Sequence, residues 1–141
     1  MVTRIGTLVL ALMLASGANP ARAQTYTDVI FCNNTGSDVY IAFVYYNESN
    51  QRWQMFAYEL RPAGVCDSIA QLSPGLIYYH AFNESRRLYW PNDAHVDKEY
   101  CLPNTAVDRP MYSGTCLDGE ELAGFQGIKI DGPSHTINID P

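Results

Sequence analysis

The chain has 141 residues, with nine basic and 15 acidic side chains and a net charge of −6. An acidic surface of this kind repels phosphate backbones and anionic lipid, so a nucleic-acid partner and electrostatic membrane adsorption are both excluded as starting readings. Aromatic residues (two Trp, ten Tyr and five Phe) outweigh what a helical protein of this size needs and suit half-buried strands.

The N-terminus reads as a secretory signal. Arg4 supplies a positive start, residues 8–15 form an apolar run too short to span a bilayer, and Ala21 and Ala23 offer small residues at a cleavage site. Cleavage after Ala23 leaves one exported domain over 24–141, with seven basic against 15 acidic side chains. No later stretch is apolar for long enough to be an integral membrane segment.

From there the pattern is strand after strand. Residues 27–33 and 39–46 read as a hairpin around a turn at 34–38, where Gly36 and the Asn and Asp side chains supply turn chemistry. In 39–46, Val39, Ile41, Phe43 and Tyr45 alternate with Tyr40, Ala42, Val44 and Tyr46. Both faces are apolar, which predicts a central strand covered on at least one side. Residues 51–60 place Trp53, Met55 and Ala57 opposite Gln54, Phe56 and Tyr58. Further strands are expected at 65–72, 76–82, 86–90, 99–102, 112–117, 125–130 and 135–139. Residues 90–97 read as a surface loop, 103–110 as irregular, and 118–123 as the one place for a short helical turn. The predicted class is all-β: a small disulfide-stapled antiparallel β-sandwich or flattened barrel.

Cys32, Cys66, Cys101 and Cys116 are an even set in an exported domain, so disulfides are expected. Their spacings of 34, 35 and 15 residues lack the close pairs of a zinc site. Three pairings are possible and spacing does not decide among them. The preferred one joins Cys32 to Cys66 and Cys101 to Cys116, the latter closing a short loop for about 3 kcal/mol.

Candidate chemistry is sparse. Asp93, His95 and Asp97 would project from one side of an extended segment, a trio that could ligate a metal or serve a small acid–base hydrolase. Against it stands the ordinary reading of a short acidic loop. His80, inside an aromatic strand, reads as a packed and hydrogen-bonded residue. Carboxylates such as Asp118, Glu120 and Glu121 read as a solvated loop, since adjacency in sequence does not make a cleft. Nucleophile-elbow, phosphate-loop, metalloprotease and haem-attachment motifs are all missing, so no catalytic residue and no cofactor is implied. Trp53, Phe56, Tyr58, Tyr89 and Trp90 form a candidate platform for stacking a sugar or docking a partner. The competing assignment for them is core filling and edge cover.

The segment Phe31-Cys-Asn-Asn-Thr-Gly36, the alternating start Val39-Tyr-Ile-Ala42, Trp53, and Leu60-Arg-Pro-Ala-Gly-Val-Cys66 together resemble the bacterial domain of unknown function 1036 family. Tyr78-Tyr-His-Ala81, Tyr100-Cys101, Gly114-Thr-Cys116 and Gly124-Phe125 follow in the family's order, so the resemblance runs from about residue 29 to 130. It implies a small exported bacterial domain, periplasmic or secreted, and carries no activity with it. This chain departs from the family at Phe56-Ala-Tyr58, where a Gly-Trp-Trp run is usual, and at Ala63 and Val65 around Gly64. A binding face made of the family's aromatics would therefore be altered here. The expected role is a non-enzymatic interaction module for an envelope protein or glycan.

Overall fold

The computed structural model describes residues 25–85, 87–111 and 115–141. The segment read as a signal, 1–23, lies outside the described residues, as do 112–114 of the strand expected over 112–117; the described remainder of that stretch is not strand. Ten strands are described: β1 (Thr27–Asn33), β2 (Val39–Asn47), β3 (Arg52–Arg61), β4 (Cys66–Leu72), β5 (Gly75–Asn83), β6 (Tyr89–Trp90), β7 (Lys98–Leu102), β8 (Val107–Pro110), β9 (Glu121–Ile130) and β10 (Ser134–Ile139). Among the described residues a 3-10 turn spans Asp93–His95. The chain is thus all-β with two sheets, as its turn spacing predicts. The small sheet runs β10-β1-β4. The large one runs β7-β9-β5-β2-β3-β8 with β6 beside β5, and it curls into a half-barrel.

The large sheet uses both faces. On its outer face Val39, Ile41 and Phe43 of β2, with Ile77, Tyr79 and Ala81 of β5, pack against Val29, Phe31, Ile137 and Ile139 of the small sheet. On its inner face Ala42 and Val44 meet Met55, Ala57, Phe82, Leu102 and Phe125 in a second core inside the curl. The two faces read from β2 in the sequence are the two faces observed, and β2 is central, flanked by β3 and β5.

β1 and β2 are not a hairpin. β1 pairs antiparallel with β4 and parallel with β10, while β2 belongs to the other sheet. The turn at 34–38 instead carries the chain from one layer to the next. Asn33, fully buried, makes this possible. Its Nδ2 donates to Ser37 O at 2.8 Å and Arg61 O at 2.9 Å, and its Oδ1 accepts from the Thr35 N–H and hydroxyl at 3.0 and 2.7 Å. A corner that leaves the ladder must satisfy its polar groups another way, and one amide does it for both strands.

Both preferred disulfides are present. Cys32 and Cys66 sit directly opposite each other on β1 and β4, and Cys101 is joined to Cys116. The second bridge, with the Tyr58 hydroxyl donating to Pro103 O, brings the β7 edge of the half-barrel towards its β3–β8 side.

Several local expectations are corrected. Tyr58 does not share a face with Gln54 and Phe56. A register shift opposite Ile41 and Ala42 makes it the extra residue of a bulge, so it joins Ala57 on the inner face. Residues 107–110 are strand because β3 offers them a free edge, with Gln54 and Met55 opposite Pro110 and Arg109. Residues 118–123 are a tight turn at Gly119 (φ 85°) entering β9, not a helical turn. Of the strand expected over 86–90, residue 86 lies outside the described residues and 87–90 contribute only β6.

Removing the amide bracket at the corner should be expensive. Asn33→Ala removes the donor to the Arg61 carbonyl and the acceptor of the Thr35 N–H, while the Ser37 carbonyl keeps only the Thr35 hydroxyl, and a loss of about 3 kcal/mol is expected. Urea unfolding should show it as a lower midpoint with an unchanged slope; a midpoint equal to wild type would contradict the role given to Asn33.

Candidate functional site

Alternation along the strands sets a file of rings on the inner face of the large sheet. Tyr46 of β2 meets Trp53 of β3 edge-on at 5.8 Å, Trp53 lies 5.9 Å from Tyr78 of β5, and Tyr78 is 5.6 Å from Tyr100 of β7. The step from β5 to β7 crosses β9 at Gly127. A Cβ there would come to 3.1 Å of the Tyr78 ring, so glycine leaves the space the ring uses. Lys98 closes the file, its Nζ 5.7 and 5.5 Å from the Tyr78 and Tyr100 centroids. The Tyr100 phenol is pushed up to about 12 by burial and by the neighbouring Tyr78.

At the Tyr46–Trp53 end the file reaches solvent. Tyr46 is 43% and Trp53 38% exposed, and Tyr26 is exposed beside them. Two adjoining clefts of about 200 and 190 Å³ lie here, between the β2–β3 turn and the β4–β5 turn. Tyr45, Tyr46, Glu48 and Ser73 border both, while Asn47 and Gln71 line the first and Trp53 and Leu76 the second. Asn47 is fixed in place, donating from Nδ2 to Gln54 Oε1 at 2.9 Å and accepting the Ser49 N–H at 3.0 Å. Tyr45 stays protonated well into alkali because burial and the Asp108 carboxylate outweigh a hydrogen bond with Asn47. The combination is aromatic walls, a fixed Asn47 amide, further amide and hydroxyl groups, and one carboxylate.

A second hollow, about 390 Å³, opens where the large sheet forks. β9 pairs with β5 only as far as Tyr79↔Gln126; beyond that β5 takes β6 as its neighbour and β9 continues beside β7. His80 bridges the start of the gap. Its Nδ1 lies 2.8 Å from Gly124 O, and since a carbonyl only accepts, Nδ1 carries the proton. Val96 packs over Gly124, where a Cβ would approach it to 2.5 Å.

The aromatic residues singled out in the sequence do not share one surface. Trp53 belongs to the exposed file. Phe56 is on the opposite face, stacked on Phe43 at 5.2 Å. Tyr58 is inside the curl against Tyr40 and Phe82. Tyr89 lines the fork, and Trp90 packs on the inter-sheet core with Nε1 donating to Asp140 O at 2.6 Å. Tyr46, Tyr78 and Tyr100 complete the file in their place, and Tyr26 lines the first cleft beside it. Their strands were legible, but the register that aligns them was not.

The segment holding Asp93, His95 and Asp97 is not extended: Asp93–His95 is a 3-10 turn, closed by His95 N–H to Asn92 O at 2.9 Å. The extended backbone on which the trio was premised is therefore not present over Asp93–His95. His95 is exposed, and Asp97 Oδ2 accepts the Gly127 N–H at 2.8 Å, which places that carboxylate in the sheet. Among the described residues, one group of potential ligands lies within 4.8 Å of one another: Cys101, Cys116 and Glu120. Both sulfurs are joined in the disulfide, and Glu120 accepts from Arg109 and from Leu117 N–H, so the group is already committed to structure.

Comparison with protein-family models, curated proteins and solved structures finds no match to this chain.

Glu120 gives this region a pH dependence. Burial raises its carboxyl, but the Leu117 N–H and the Arg109 guanidinium outweigh that and hold it below the ordinary 4.5. The unfolded chain then binds the proton more readily than the folded one, so the contribution is full above pH 4.5 and is lost as pH falls through the folded value. Thermal melts of wild type and Glu120→Gln should differ most near neutrality and converge on acidification. A constant gap across the acid range would contradict the pairing.

Proposed function

We propose that this chain is an exported, non-enzymatic binding module that takes a saccharide at its aromatic end, in the periplasm or outside the cell. The observation that carries the reading is the exposed Tyr46–Trp53 pair set over two adjoining clefts. Flat rings stack on the C–H faces of sugars, while Asn47, Gln71, Ser73 and Glu48 offer polar partners for hydroxyls. Holding Asn47 through Gln54 and Ser49 reduces the ordering that binding would otherwise require. The resemblance to the domain of unknown function 1036 family supports an exported bacterial module, and two disulfides suit an oxidising compartment.

Export has a direct test. Protein isolated from its own envelope should have an intact mass that starts at Gln24 and lies four hydrogens below the reduced chain. Retention of residues 1–23 would contradict cleavage, and free thiols would contradict the compartment.

Sugar binding is read by a glycan array followed by titration of tryptophan fluorescence. Trp53→Ala should weaken binding by about tenfold, the order of one lost stacking contact. Trp90→Ala should leave it unchanged if the protein stays folded. An array without hits, together with Trp53-dependent capture of an envelope protein, would replace the sugar by a protein partner.

A further inference from the structure

We propose, building on the saccharide reading above, that the aromatic end takes two linked sugar units and that the unit in the cleft beside Trp53 carries a methyl group, as an acetamido sugar or a deoxyhexose does. At about 200 and 190 Å³, each cleft falls below the roughly 300 Å³ at which pockets begin to take drug-sized ligands. The two adjoin across Tyr45 and Tyr46, which border both. One ligand can therefore lie over the shared wall with a ring in each.

The two clefts differ in chemistry. Side chains that line only the first include Tyr26, Asn47, Ser49 and Gln71, all with hydrogen-bonding groups. Those that line only the second are Trp53, Pro74, Leu76 and Ile77, and the indole N–H is the one polar side-chain group among them. Register places Leu76 there. Tyr46 lies opposite Trp53, and Val44 opposite Tyr78. Leu76, two residues from Tyr78, shares the inner face with Tyr46 and Trp53 and is 46% exposed. Pro74, also exposed, borders the same cleft from the β4–β5 turn.

A sugar hydroxyl turned towards Pro74 and Leu76 would give up water without gaining a partner, whereas a methyl group gains apolar contact. An acetamido group supplies that methyl on an amide, and a deoxyhexose supplies it in place of a hydroxymethyl group. The first cleft, with Asn47 held by Gln54 and Ser49, suits an ordinary hydroxylated ring.

The test is titration calorimetry on the exported protein with cellobiose, with chitobiose, which replaces one hydroxyl of each ring by an acetamido group, and with cellobiose deoxygenated at its hydroxymethyl carbons. At least one methyl-bearing disaccharide should bind about tenfold more tightly than cellobiose, the scale of one added methyl in an apolar pocket, and which one does so identifies the source of the methyl. The corresponding single sugar should bind severalfold more weakly than its disaccharide. Leu76→Gln, at an exposed position, should bring the preference towards parity, and Gln71→Ala should weaken cellobiose and the methyl-bearing sugar alike. Cellobiose bound as tightly as both methyl-bearing forms, a preference that survives Leu76→Gln, or single sugars equal to disaccharides would overturn the assignment. If none of these compounds binds, the glycan array decides. Trp53-dependent hits on methyl-bearing sugars uphold the assignment, hits confined to sugars without a methyl group overturn it alone, and an array without hits removes the saccharide reading with it.

Discussion

The architecture follows from the need to bury both faces of β2. A strand with one polar face can end a structure in solvent, whereas Val39-Tyr-Ile-Ala-Phe-Val-Tyr-Tyr46 cannot. One face is covered by the three-stranded sheet. Among the described residues no further layer lies on the other side, and the sheet covers itself by curling until Leu102 of β7 shares a core with Met55 and Ala57 of β3. The half-barrel is the large sheet's answer to a second apolar face.

A curl of this kind leaves unpaired edges, and the closing contacts are made by side chains. Tyr58 reaches Pro103, Arg109 reaches Glu120, and Cys101 is bonded to Cys116. A loop of 15 residues closed by a disulfide gains about 3 kcal/mol. The Cys32–Cys66 bridge acts elsewhere, joining neighbouring strands of the small sheet beside the Asn33 corner. Arg61 lies close by, buried, with Asp67 at 3.5 Å and Glu59 at 3.8 Å while its Nε and Nη2 find no hydrogen-bond partner. A buried guanidinium so loosely matched adds little stability, so the corner depends on the amide and the disulfide.

Much of this was legible in the sequence, and the failures share a cause. Strand identity, the two faces of β2 and the disulfide framework depend on local periodicity and on cysteine usage. Layer assignment does not: residues 27–46 read as a hairpin because their turn chemistry is local, while the partner of β1 is set by Cys66 and by Ile137, more than thirty and a hundred residues away. Tyr58 was misplaced for a similar reason, since a bulge shifts the alternation without a local signature. Trp53 was identifiable as a candidate, but its neighbours Tyr46 and Tyr78 became so only when register aligned three strands. β8 has no signature in the sequence because a short polar strand forms only when an edge is waiting for it.

The same constraint locates both candidate surfaces. The interior of the curl and the space between sheets are filled, so recognition is confined to places where the layers end or the ladder breaks. The aromatic file becomes accessible beside the two clefts between the β2–β3 and β4–β5 turns, and its rings are held by the cross-strand packing that continues into the core. The fork exists because β5 has one edge and two claimants, β9 before Tyr79 and β6 after it. Pairing with β6 lets the chain turn back towards β7, which the curl requires for closure. The opening between β9 and β6 is therefore a consequence of closing the half-barrel, and His80 holds it by replacing one ladder hydrogen bond with a side chain.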